Sequence, residues 1–152
     1  MYAILLYLHS IVRWLLLAAL TAAIHRAYRG YAGHRTFTKG DNALRHWTAT
    51  TAHIQLVLGI LLYTQSPLVK YFMKHAREAI HLREASFFGI VHIVLMLTGI
   101  VIITIGSALA KRRGSDAAKY RTMLLWYAIA LLIILIAIPW PFSPLAQRPY
   151  FR

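Results

Sequence analysis

Apolar residues in this chain gather into four blocks, at about 2–24, 47–63, 87–109 and 123–138, instead of recurring as stripes. A helix on a water-soluble core keeps one polar face, whereas a block apolar on every side suits a helix surrounded by lipid. Crossing a bilayer takes about 20 apolar residues. The first and third blocks are long enough with some tilt. The second and fourth are shorter but are flanked by aromatic residues, His46-Trp47 at one and "PWPF" at the other, as suits ends lying in the interface. The pattern predicts an all-α, polytopic membrane protein. Four transmembrane helices form an up-down-up-down bundle over 1–138, and a proline- and aromatic-rich tail over 139–152 cannot form regular helix. The first block is read as a retained helix and not a cleaved signal, because no basic stretch precedes it and it contains His9 and Arg13.

The connections add detail. Asp41 or Asn42 is a candidate cap for the second helix, and Ser115 or Asp116 for the fourth. Between the second and third blocks, Val69, Phe72, Met73 and Ile80 are spaced among charges. That spacing fits an amphipathic helix on the membrane surface as well as a solvated loop. "YLHSIVRWLLLA" and "GIVHIVLMLTGI" echo each other at the starts of the first and third helices, as two repeated hairpins would.

Charge then orients the chain. With 17 Lys+Arg against 4 Asp+Glu, a soluble protein of this kind would suggest a nucleic-acid partner. Here the basic residues lie in connections, so none is expected. Ten follow the first and third blocks: Arg26, Arg29, Arg35, Lys39, Arg45, Lys111, Arg112, Arg113, Lys119 and Arg121. Six lie on the other side: Lys70, Lys74, Arg77, Arg83, Arg148 and Arg152. Basic connections stay in the cytoplasm, which puts both termini outside it. The absence of cysteine excludes disulfides, thiolate metal sites and covalently attached haem.

Three of the eight histidines fall inside apolar blocks: His9, His53 and His92. Ionisable residues at that depth are costly and usually face the bundle interior, although a neutral histidine can simply hydrogen-bond to a neighbouring helix. At 1.5 Å per residue, His9 and His92 both lie about 10 Å in from the same side, with His53 about 18 Å in. Two level histidines on diagonal helices can hold haem b from its two faces. Along one face of the third helix run Ala85, Gly89, His92, Met96, Gly99, Ile103 and Gly106. Those small residues leave room for a macrocycle or else permit close helix packing. Arg13 lies one turn from His9 with no acidic residue in any helix core, so a haem propionate or a quinone oxygen is its expected acceptor. His53 is the alternative partner of His92. It could also ligate a second haem with His25 or His46, bind quinone, or pair with Tyr127. A three-histidine zinc or copper site conflicts with its different depth.

The segments "YLHSIVRW", "TAHIQLVLGILLY", "GIVHIVLMLTGIVIITIG" and "DAAKYRTMLLWYAIALLIILIAIPWPF" together resemble small bacterial four-helix membrane proteins labelled cytochrome b, over nearly the whole length. The resemblance implies His9, His53 and His92 as the positions to watch, and a place in a bacterial inner membrane. The expected function is a haem b electron-transfer subunit working with a quinone chain and a membrane partner or respiratory complex, an electron carrier more than a stand-alone enzyme. The competing expectation is a cofactor-free accessory or assembly subunit of a larger membrane complex.

Overall fold

The computed structural model describes residues 1–150; Phe151 and Arg152, counted above with the tail, lie outside the described residues. Every regular element among the described residues is helical. They are α1 (Tyr2–Ala32), α2 (Lys39–Gln65), α3 (Pro67–Lys74), α4 (Ala76–Ala79), α5 (Arg83–Ser86), a π-helical segment (Phe87–Val91), α6 (His92–Arg112) and α7 (Asp116–Ala137). Three stretches are long and apolar enough to cross a membrane: Tyr2–Ala32, Arg83–Arg112 and Asp116–Ala137. α2 is long enough, but its threonines, His53 and Gln55 dilute it. Only together with α3, bent 61° from it, does it reach the length and apolarity of a fourth, as a broken span or a re-entrant turn.

The helices outrun their apolar blocks. α1 continues eight residues past position 24; only Gly30 in that stretch disfavours helix, and there the Tyr120 ring packs so closely that a Cβ would overlap it. It stops where His34 adopts a left-handed conformation (φ 47°) and the Arg35 amide donates to the Gly30 carbonyl at 3.0 Å. α2 begins at Lys39, capped by Thr38 and not by Asp41 or Asn42. The Thr38 hydroxyl accepts from the Asp41 amide, and the Asp41 carboxylate accepts from the Thr38 amide, a reciprocal capping box. Ser115 caps α7 by accepting from the Ala118 amide. α3 is helical and buries Val69 and Phe72 within the protein, while Met73 and Ile80 of the same set are exposed and Ile80 lies beyond α3.

The long helices touch in a closed order, α1 on α2, α2 on α6, α6 on α7 and α7 on α1. Packing is uneven along their length. In the half nearest residues 33–38 and 113–115 the interior is filled by Leu20, Ala23, Ala27, Ala52, Ile103 and Tyr127. Polar ties lock that end. Asp41, almost fully buried, takes Arg26 at 2.6 Å and the Tyr120 hydroxyl at 2.8 Å, while Arg45 donates to Ser107 of α6 and to Asn42. The other half contains a cavity.

Candidate functional site

The cavity has a volume of about 420 Å³ and is mostly apolar, within the range of small-molecule and cofactor pockets. Tyr2, Leu6, His9 and Arg13 of α1 line it along one helical stripe, and Gln55 and Gly59 of α2 face them. Phe88 of the π segment and His92 and Met96 of α6 form another wall, while Arg148 and Pro149 of the tail close over it. His9, Arg13 and His92 are therefore gathered around one space.

His53 is not part of it. Its side chain is exposed on the outer surface, where it meets the Thr104 hydroxyl at 2.9 Å. Thr104 already donates to the Ile100 carbonyl, so its oxygen must accept from His53 Nε2–H. Tyr127 is not its neighbour either; that hydroxyl donates to the Arg45 carbonyl at 2.8 Å. His25 and His46 are exposed. Among the described residues, no group of three or more His, Cys, Asp or Glu could hold a metal ion.

The orientation of His92 follows from the prolines of the tail. A helix continuing past Ala137 would satisfy the carbonyls of Leu135 and Ala137 with the amides of residues 139 and 141. Both are prolines and have no N–H. The Trp140 indole donates to the first carbonyl and His92 Nδ1–H to the second, each at 2.8 Å. A proton fixed on Nδ1 leaves Nε2 as a lone pair with no hydrogen bond among the described residues, the arrangement a metal-ligating histidine requires. His92 also directly follows the π segment. There Tyr63 donates to the Gly89 carbonyl at 2.7 Å and Phe72 sits against Gly89 so closely that a Cβ would overlap its ring. Single π turns are frequent at functional sites because the extra residue re-aims the side chains beyond it.

His9 is held differently. Gln55 Nε2 donates both to its carbonyl oxygen, at 3.1 Å, and to its Nε2, at 3.2 Å. The His9 proton is therefore on Nδ1, which is buried without a partner. Arg13 donates to the carbonyl of Tyr150 in the tail. Its acceptor is therefore a neutral backbone group, and its Nε is buried with no hydrogen bond. Among the described residues, four buried polar side-chain atoms have no protein partner: His9 Nδ1, Arg13 Nε, Gln55 Oε1 and Arg148 Nε. All four residues line this cavity. Buried polar groups are rarely left unpaired, so water or a bound molecule with matching polar atoms would have to satisfy these four.

Most of the small residues on the His92 stripe serve packing. A Cβ on Gly106 would strike Trp126, and one on Gly99 would press Ile134 at 3.1 Å. Only His92 and Met96 of that stripe line the cavity. Sequence reasoning missed Arg148 and Glu84, which form a two-pronged ion pair at 2.9 and 2.6 Å, because a loop charge carries no sign of what it will cover. Gln55 was visible only as an unusual polar residue in an apolar block.

Comparison with protein-family models, curated proteins and solved structures gives no match for this chain.

Proposed function

We propose that the chain is a four-helix, up-down-up-down membrane protein that binds one haem b in this cavity and serves as an electron-transfer subunit. The observation that carries the reading is His92: its Nδ1 is tied to Ala137 and its unpaired Nε2 belongs to a cavity shared with His9 and two arginines. The donor set suits the group. An imidazole lone pair serves iron, apolar walls serve the macrocycle, and the free Nε–H groups of Arg13 and Arg148 serve carboxylates. Bound haem supplies a one-electron couple whose potential depends on axial ligand and burial. The chain's own residues orient His92, exclude water with the tail and neutralise the carboxylates. His9 is the preferred second ligand once Gln55 turns aside, and His53, facing outward, is set apart from that role. A quinone and a membrane partner in a bacterial inner membrane complete the proposal, with both termini outside the cytoplasm.

A second reading is a cofactor-free accessory subunit of a larger complex. Gln55 on His9 and Thr104 on His53 favour it, since both histidines act there as hydrogen-bond links between helices. Purifying the full chain after expression with haem supplied, then recording oxidised and reduced spectra, separates the two. A Soret band with sharp reduced α and β bands supports the haem reading; a colourless preparation that also fails to take up added haem supports the accessory reading.

A further inference from the structure

A second concavity, of about 260 Å³, lies at the opposite end of the bundle and is lined by Phe37, Thr38, Lys39, Asn42, Lys111 and Lys119. It brings together parts distant in sequence: the first connection and the first turn of α2, the last turn of α6 and the first turns of α7. Three lysines border it, Lys39, Lys111 and Lys119, although like charges repel at close range.

The polar groups around it are arranged to donate. Asn42 Oδ1 is taken twice by Arg45, at 3.2 and 2.9 Å, which leaves the Asn42 amide N–H groups available. The Thr38 hydroxyl is spent on Asp41 in both directions. Asp41 is buried and occupied by Thr38, Arg26 and Tyr120. The one carboxylate on a lining lysine is Asp116, 3.4 Å from Lys119, and Lys119 also sits over the Phe37 ring at 5.5 Å. Lys39 and Lys111 are exposed and form no ion pair among the described residues. Three lysines, of which only Lys119 has a carboxylate partner, leave the cup with excess positive charge, an aromatic wall and donors.

We propose that this cup binds a phosphate group at the end of the bundle where the two basic connections meet. Basic pockets between transmembrane helices at the cytoplasmic surface suit anionic lipid headgroups, and a free phosphate compound presents the same chemistry. The site is independent of the haem cavity, and its lipid arm rests on the membrane insertion and orientation proposed above, whereas binding of free phosphate does not.

The test uses the full chain in phosphatidylcholine nanodiscs. Phosphatidylglycerol is titrated into the discs, and in separate discs without it inorganic phosphate is added; bound lipid is read by native mass spectrometry and phosphate by thermal shift. A membrane-adjacent lysine is worth about fivefold in affinity. The Lys39→Gln, Lys111→Gln, Lys119→Gln triple variant is therefore expected to bind about a hundredfold more weakly, and a Lys70→Gln, Lys74→Gln control at the other end to bind normally. Lysine-dependent retention of phosphatidylglycerol that millimolar phosphate does not displace assigns a lipid headgroup. Lysine-dependent binding of inorganic phosphate without phosphatidylglycerol assigns a free phosphate. Equal binding by the triple variant and the control overturns the proposal. Should the triple variant fail to fold, Lys111→Gln alone, on the exposed last turn of α6, replaces it; about a fivefold loss supports the site, and no loss overturns it.

Discussion

The Nδ1–H of His92 donates to the carbonyl of Ala137, the last residue of α7, at 2.8 Å. The bond exists because Pro141 cannot supply the amide that would otherwise take that carbonyl. A local rule about proline in the tail thus decides which nitrogen of a histidine on another helix remains free. From that nitrogen follows the reading of the cavity.

The three histidines of the apolar blocks are predicted to separate. His53→Ala leaves any haem spectrum unchanged, because His53 faces outward and bonds Thr104. His9→Ala shifts the spectrum towards a five-coordinate, high-spin form. Gln55→Leu, which removes the donor from His9 Nε2, raises the low-spin fraction. Absorption and electron paramagnetic resonance spectra of the three variants check the order; a His53 variant that loses low-spin character while the His9 variant keeps it contradicts the assignment.

Gly106 allows Trp126 of α7 to approach α6, and a Cβ there overlaps the Trp126 side chain. Gly106→Ala is predicted to cost about 1–3 kcal/mol, as overpacking does. Gly114 has nothing within 4 Å of an added Cβ, so Gly114→Ala is the neutral comparison. Thermal unfolding of both in the same detergent decides, and equal midpoints would show that the glycine is not needed for packing.

Glu84 and Arg148 fasten the tail over the cavity. Both side chains are partly exposed, which limits their coupling to about 0.5–1 kcal/mol even with two-pronged geometry. A double-mutant cycle with Glu84→Gln and Arg148→Gln, read by hydrogen exchange of tail amides, should return a coupling of that size. Additive effects would mean that the tail is held by Trp14, Trp140 and Arg13 instead.

How much was legible in the sequence differs from residue to residue. The four helices could be read because each apolar block needs a lipid or core environment whatever its neighbours are. His9 and His92 could be paired by counting residues from the same end. The outward position of His53 could not be read, because Thr48, Thr50, Thr51, His53 and Gln55 fall on several sides of α2 and mark no single polar face to reveal its rotation. Thr38, with Asp41 three residues on, had the spacing of a capping box, but the apolar block begins later and drew the boundary to 47. The π segment was invisible: Tyr63 and Phe72 act on Gly89 from other elements, and nothing in "FFGIV" announces them.

Orientation in the membrane has its own check. The excess of Lys and Arg at the bundle end where α1 meets α2 and α6 meets α7, on the helix ends as well as in the turns, predicts both termini outside the cytoplasm. Alkaline phosphatase fused after Arg152 is expected to be active and green fluorescent protein at the same place dark; the reverse pattern contradicts the assignment.

The most direct test of the central claim compares His92→Ala with Met96→Leu, two neighbours on one cavity wall. Both proteins are purified with haem supplied, and pyridine haemochrome content is measured per chain. Met96→Leu, a volume-conserving exchange, is predicted to retain haem at the wild-type ratio. His92→Ala is predicted to lose it while keeping its helical circular dichroism. Full haem content in a folded His92→Ala protein, or none in the wild type, would contradict the account.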